Sequence, residues 1–252
     1  MILLEKKFLL LFAAAVTICS QSIPITGGSF TMGSANGADD ERPEHVVTLS
    51  SFKVDKTEVT EAAYEACVQS GRCTPAHYTD GLCKVWKSGA FENVIVPMDR
   101  RGPDLPVVCV TWHQARAYCK SYGKTLPSEA QWEYAASSGN NDEFAWGNDS
   151  PDDSRCVQPS NSRPDNVCSR AANAFNLCDM TGNVWEWTND YYARDYYAWS
   201  ETTDPSGPDV GLYRVIRGGG WYSIGSQLRV RNRNWSVPDF ADVSLGFRCV
   251  ER

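Results

Sequence analysis

The sequence is poor in histidine, with only three in 252 residues. His45, His77 and His113 stand too far apart to suggest a histidine-rich metal site. Positive charge is also short: 24 lysines and arginines face 31 aspartates and glutamates, for a formal net charge of −7. That balance argues against nucleic-acid binding, because releasing counterions from phosphates needs a basic face. Beyond the N-terminal run, no stretch reaches the roughly 20 apolar residues of a membrane helix. No Cys-x-x-Cys pair occurs, which disfavours zinc ribbons and thioredoxin-type sites. Gly-x-Ser-x-Gly, His-Glu-x-x-His and the phosphate loop are all missing. An aromatic content of 12% excludes a disordered or fibrous chain.

What stands out instead is ten cysteines and nine tryptophans. The cysteines find a reason at the N-terminus. Lys6 and Lys7 precede an apolar run from Phe8 to Ile18, too short to span a bilayer but suited to the core of an export signal. Ser20 and Ser22 are small residues at a signal-peptidase spacing, so residues 1–22 are predicted to be cleaved as a signal peptide. The alternative, lipid anchoring at Cys19, meets a bulky Ile18 where a small residue is expected. Export, whether to the medium or a periplasm, means an oxidising compartment in which the remaining cysteines pair. Short-range bridges Cys67–Cys73 and Cys156–Cys168 would each close a turn-rich loop. The odd number left leaves a thiol free or linked between chains.

Along the mature chain, Gly27 to Gly33 reads as a short strand, followed by an acidic turn and a strand from His45 to Leu49. Val46, Val47, Leu49, Phe52 and Val54 suggest a buried sheet edge. Thr60 is placed to cap a helix that stops at Gly71. Thr111 with Gln114, and Ser128 with Gln131, form two capping boxes opening helices to about Tyr122 and Ala136. His113 then falls on an exposed helix turn. After Gly139 the chain becomes loop-rich, with short aromatic islands. One α+β domain, stabilised by disulfides and large aromatics, accounts for this pattern.

Five segments, in order, resemble the formylglycine-generating enzyme (sulfatase-modifying factor) family. They are Gly27-Gly28-Ser29-Phe30-Thr31-Met32-Gly33; Leu126-Pro127-Ser128-Glu129-Ala130-Gln131-Trp132-Glu133-Tyr134-Ala135-Ala136; Gly182-Asn183-Val184-Trp185-Glu186-Trp187; Arg217-Gly218-Gly219-Gly220-Trp221; and Leu245-Gly246-Phe247-Arg248-Cys249. The resemblance covers residues 23–252. It implies a variant of the C-type-lectin-like fold, with little regular structure, and a disulfide between Cys119 and Cys249. It also implies a structural calcium held by the side chains of Asp179 and Glu186 and the carbonyls of Gly182 and Val184, a set of hard oxygens suited to that ion. The bland reading of Glu186 is an acid paired with an arginine.

Active members of the family use copper(I) and oxygen to oxidise a sulfatase cysteine to formylglycine. The soft metal is held by two cysteines just after the Gly-Gly motif. Here Ser223 stands at the first position, the second cysteine is missing, and Gly220 replaces a serine. No cysteine occurs between Cys178 and Cys249. Copper is therefore not expected as a cofactor, and no catalytic residue is assigned. The reading that follows is a secreted family member acting as a binding or accessory module for a protein, peptide or glycan. The alternative is a divergent enzyme, with cysteine oxidation or changed chemistry in the same groove. Candidate ligand-binding residues are Trp221 and Ser223 with the alternating Arg229, Arg231 and Arg233, which on a strand would share one face and could hold an anion. The aromatic run Asp190–Trp199 reads equally as a binding face or as an inward-packing strand. The unpaired cysteine would allow an intermolecular link.

Overall fold

The computed structural model describes residues 21–158 and 162–252. The expected export signal, including Phe8–Ile18 and Cys19, lies outside the described residues. Ser22, expected as the last residue before cleavage, opens β1 (Ser22–Ile25). β1 pairs antiparallel with β4 (Phe52–Asp55), which also pairs with β11 (Val250–Glu251). β2 (Gly28–Met32) and β3 (His45–Leu49) form a second antiparallel pair. Within β3 the side chains alternate: Val47 and Leu49 are buried, while Val46 is 60% exposed. Val46 thus leaves the core the sequence reading gave it, since neighbours on a strand face opposite ways.

Three helices follow the capping signals. In α1 (Glu61–Gln69) the Thr60 hydroxyl accepts from the amide of Ala63. In α2 (Trp112–Ser121) and α3 (Glu129–Ser137) both capping boxes form. His113 is exposed, as expected. α2 turns its buried face, Trp112, Ala115, Tyr118 and Cys119, toward a core shared with Tyr64, Trp187 and Phe247. α3 is buried along its whole length and belongs to a second core with Phe30, Val47, Leu49 and Met180. Between α1 and α2 lies a hairpin of β5 (Cys83–Lys87) and β6 (Ala90–Val94). Its two-residue turn has positive φ at Ser88 and Gly89, the twist-matched geometry of tight hairpins.

The central sheet comes from the second half of the chain. β7 (Trp185–Tyr191) pairs antiparallel with β8 (Arg214–Arg217), which pairs with β9 (Asn234–Ser236). β10 (Leu245–Gly246) joins the other side of β7 in parallel. The result is the α+β, loop-rich domain expected from the sequence.

Among the described residues, four disulfides hold it. Cys67–Cys73 and Cys119–Cys249 form as anticipated, and Cys83 pairs with Cys109. The expected Cys156–Cys168 bridge does not form. Cys168 pairs with Cys178, ten residues away, and Cys156 is a free, buried thiol. The reason is local: Cys168 adopts a left-handed backbone conformation in a turn whose amide donates to Asp179 Oδ2, beside Cys178. Cys156 instead packs with Phe144 and Leu228.

Peptide mapping under non-reducing conditions should recover a Cys168–Cys178 peptide and a single free thiol at Cys156 that alkylates only after unfolding. Replacing both Cys119 and Cys249 by serine should cost about 4–5 kcal/mol in denaturant unfolding, the chain-entropy value for so long a loop.

Candidate functional site

β8 runs into Gly218-Gly219-Gly220, where the chain turns sharply. Gly219 has φ +77, and a side chain there would meet Leu228 Cδ2 at 2.8 Å and the Gln227 carbonyl at 3.0 Å. Only a glycine lets the backbone pass this close in this conformation. The turn is fixed by the Trp221 amide donating to the Asn183 carbonyl (2.7 Å) and the Ser223 amide donating to the Gly220 carbonyl (2.8 Å). The Ser223 hydroxyl in turn accepts from the Gly220 amide (3.0 Å). Ser223 is fully buried and lines neither of the cavities flanking this turn.

Those cavities lie on either side of Trp221 and Tyr222, whose rings meet edge to face at 5.2 Å. Trp221 and Val243 face an apolar cavity of about 290 Å³. Tyr222, Asp242 and Ser244 face a second, of about 330 Å³, walled by Trp185, Trp235 and Phe240. Residues 242–244 alternate between the two, as an extended segment must. Asp242 was not singled out in the sequence. Its Oδ1 accepts from the Ser244 amide (2.8 Å) and hydroxyl (2.6 Å), while Oδ2 has no partner among the described residues. Burial pushes its carboxyl up to about 6, against the two Ser244 hydrogen bonds.

The three arginines expected to share a face do not. Residues 229–233 form turns rather than a strand, and each guanidinium is drawn elsewhere. Arg229 forks onto Glu41 (2.9 and 2.5 Å). Arg233 donates from Nε (2.8 Å) and Nη2 (2.9 Å) to the two oxygens of Glu129. Arg231 reaches only neutral acceptors, the Asp142 carbonyl at 2.6 Å and Asn141 Oδ1 at 3.2 Å. Arg229 and Arg231 border a polar cleft that also holds Glu44 and Glu143, which leaves no concentrated positive field for an anion. The aromatic run likewise turns inward at its centre: Tyr196 and Tyr197 are buried, and Tyr197 donates to Glu129 Oε1 (3.3 Å).

Asp179, Gly182 and Val184 lie on one buried turn that leads into Glu186 on β7, and Asp179, Gly182 and Asn183 all have positive φ. Glu186 is engaged by protein partners. Arg248 donates to both of its oxygens (2.7 to 3.0 Å), and Trp132 Nε1 donates to Oε2 (2.9 Å). Asp179 accepts from the Cys168 amide at Oδ2 (2.6 Å) and faces a second buried acid, Glu58. Its carboxyl is raised by burial, and the neighbouring Glu58 is raised well above the usual range by burial and by the Asp179 charge. Glu58 Oε1 accepts from Asn183 Nδ2 (2.9 Å), but Oε2 has no partner among the described residues. An orphaned carboxylate oxygen beside a second acid fits a hard cation at the Asp179 end of the cluster. Among the described residues no set of three His, Cys, Asp or Glu side chains converges as a metal site, so main-chain carbonyls would have to complete the shell.

The free Cys156 is buried, and burial together with Asp152 and Asp153 pushes its thiol up to about 12. Enclosed among Phe144 and Leu228, the Cys156 thiol is not presented at the surface for the intermolecular link considered from sequence.

A disulfide-stapled domain with a glycine-rich turn between two cavities, and an interior of buried arginine–carboxylate pairs, defines a particular class of loop-rich α+β protein. The model for the sulfatase-modifying factor enzyme 1-like domain matches residues 7–252. The chain is 34% identical to the formylglycine-generating enzyme of Streptomyces coelicolor, over 90% of this chain and 88% of that protein. It is 29% identical to the inactive C-alpha-formylglycine-generating enzyme 2 of Mus musculus, over 90% of this chain and 84% of that one. The structure of PvdO from Pseudomonas aeruginosa superposes with a TM-score of 0.78 at 25% identity, covering 93% of this chain and 95% of that one. This chain belongs to the sulfatase-modifying factor family. None of its helices among the described residues is long and apolar enough to cross a membrane.

Asp242 yields a prediction with a definite sign. A carboxyl raised from 3.8 to about 6 binds its proton more tightly in the folded state, so stability falls as pH rises from about 4 to 6 and stays lower above. Asp242→Asn should therefore stabilise the protein by roughly 3 kcal/mol at pH 8, with the gain vanishing near pH 4. Denaturant midpoints across that range check it; an equal gain at both ends would contradict the assignment.

Proposed function

We infer that this chain is an exported family member that does not carry out copper-dependent cysteine oxidation and acts as a binding or accessory module. The observation that carries the reading is the state of the thiols and of Ser223. Copper(I) is stabilised by soft thiolates, and eight cysteines lie in disulfides, Cys178 and Cys249 among them. Cys156 is buried and holds its proton. Ser223, a hard oxygen where a thiolate is needed, already accepts a hydrogen bond from Gly220. The likeness to a relative named as inactive supports the same reading. Four disulfides support export to an oxidising compartment.

We also infer a structural calcium at Asp179, with the carbonyls of Gly182 and Val184. Glu186, also expected as a side-chain ligand, has both oxygens taken by Arg248 and Trp132, and Glu58 would contribute its unpartnered oxygen in its place. The support is the excess of buried carboxylate over cation at this turn.

Anaerobic copper(I) titration of the folded protein against a competing chelator should show no tight site. A sulfatase-type cysteine peptide should remain unoxidised in parallel. Tight one-to-one copper with peptide turnover would overturn the reading. Calcium-chelated protein should melt several degrees lower than protein with calcium restored, since saturation at about a hundred times Kd is worth about 2.7 kcal/mol. Identical melting would remove the calcium assignment.

A further inference from the structure

We propose that the cavity beside Tyr222 is a recognition site for a primary ammonium group on an apolar stem, the end group of a lysine side chain. The proposal names a ligand chemistry for the binding module inferred above, and rests on that reading.

Three features of the cavity converge on this ligand. Its walls are aromatic, formed by Trp185, Tyr222, Trp235, Phe240 and Phe91, with Phe91 and Phe240 edge to face at 4.9 Å. Its volume, about 330 Å³, suits a short alkyl chain rather than a macromolecular surface. Its one charged group is Asp242, which is 2% exposed and has an oxygen, Oδ2, without a hydrogen-bond partner among the described residues. The other oxygen is already saturated by the amide and hydroxyl of Ser244. A buried carboxylate with a vacant acceptor is costly unless a donor, preferably a cationic one, reaches it.

Among the described residues no cation pairs with Asp242. Lys84, whose main chain pairs with this segment, sends its ammonium to Asn93 Oδ1. The aromatic walls attract a positive charge through their ring faces and exclude water from the stem. An N–H-bearing ammonium meets both demands. A quaternary ammonium would satisfy the rings and leave Oδ2 empty, and a neutral alcohol would forgo the charge. The rim is open to solvent: Trp235 is 43% exposed and Phe91 47% exposed, so a side chain presented from outside has a path in.

The test is titration of the full-length folded protein, followed by the fluorescence of its tryptophans and by the indole resonances of Trp185 and Trp235. The probes are n-butylamine and Nα-acetyl-lysine-N-methylamide, with n-butanol and tetramethylammonium as controls. Both amines are expected to bind in the millimolar range, with tetramethylammonium and butanol weaker. Asp242→Asn, expected to fold at least as well as the parent, should weaken amine binding by at least about tenfold while leaving butanol unchanged. Tighter binding of the lysine derivative points to a protein-borne lysine, and tighter binding of butylamine to a free amine. No amine binding, equal binding of butanol, or full binding to Asp242→Asn would each overturn the proposal. Copper-dependent peptide oxidation that persists in Asp242→Asn would instead overturn the non-catalytic reading, so the two failures are told apart.

Discussion

Everything in this molecule hangs on buried arginines matched to buried carboxylates. Glu129 and Glu133 lie one turn apart on α3 and so face the same way. Arg217, at the end of β8 and fully buried, donates to both, and Arg233 forks onto Glu129 from the loop before β9. Burial alone would raise the Glu129 carboxyl, yet Arg233 and Arg217 outweigh it and hold it below the usual range. The Gly33 amide donates to the far oxygen of Glu133 (2.8 Å), which ties the first hairpin to the same point. Arg248 does the equivalent for the other core, joining Glu186 of β7 to the carbonyls of Asp55, Lys56 and Cys178. Removing one partner of such a pair strands a charge in the interior, at a cost of about 3–5 kcal/mol. In a chain with short strands and long connections, these points replace the regular ladders that other folds rely on.

Tryptophan serves the same end with neutral groups. Trp112 donates to the Thr188 carbonyl (2.8 Å), Trp187 to the Val110 carbonyl (3.1 Å) and Trp132 to Glu186. Each indole buries a large apolar face and at the same time satisfies a polar group on another segment: Trp112 and Trp132 on β7, Trp187 on the chain before α2. The nine tryptophans of the sequence are thus partly a substitute for secondary structure.

Local signals in the sequence were readable because their physics is local. A cap needs only residues three apart, so Thr60, Thr111 and Ser128 reveal their helices directly. The Cys67–Cys73 bridge spans a single helix end and is readable for the same reason. The hairpin at Ser88 and Gly89 escaped notice because its strands are mostly exposed and carry no clear alternation. Cys168 went to the wrong partner because loop length does not report which residues share a turn. The arginines misled differently: their alternation is real, but the segment is not a strand, and acids far away in sequence, Glu41 and Glu129, decide where two of them point. Asp242 was invisible from sequence, since an acid becomes unusual only when the fold withholds its partner.

The Cys119–Cys249 bond joins residues 130 apart and has Cys168–Cys178 nested inside it. More than half the domain, including α3 and β7 to β10, is therefore a closed covalent ring anchored on α2. A protease that cuts one loop within that ring separates no fragment: the pieces stay one particle until the bond is reduced. For a protein whose second half is mostly loop, this gives tolerance to nicking that its regular structure alone would not provide.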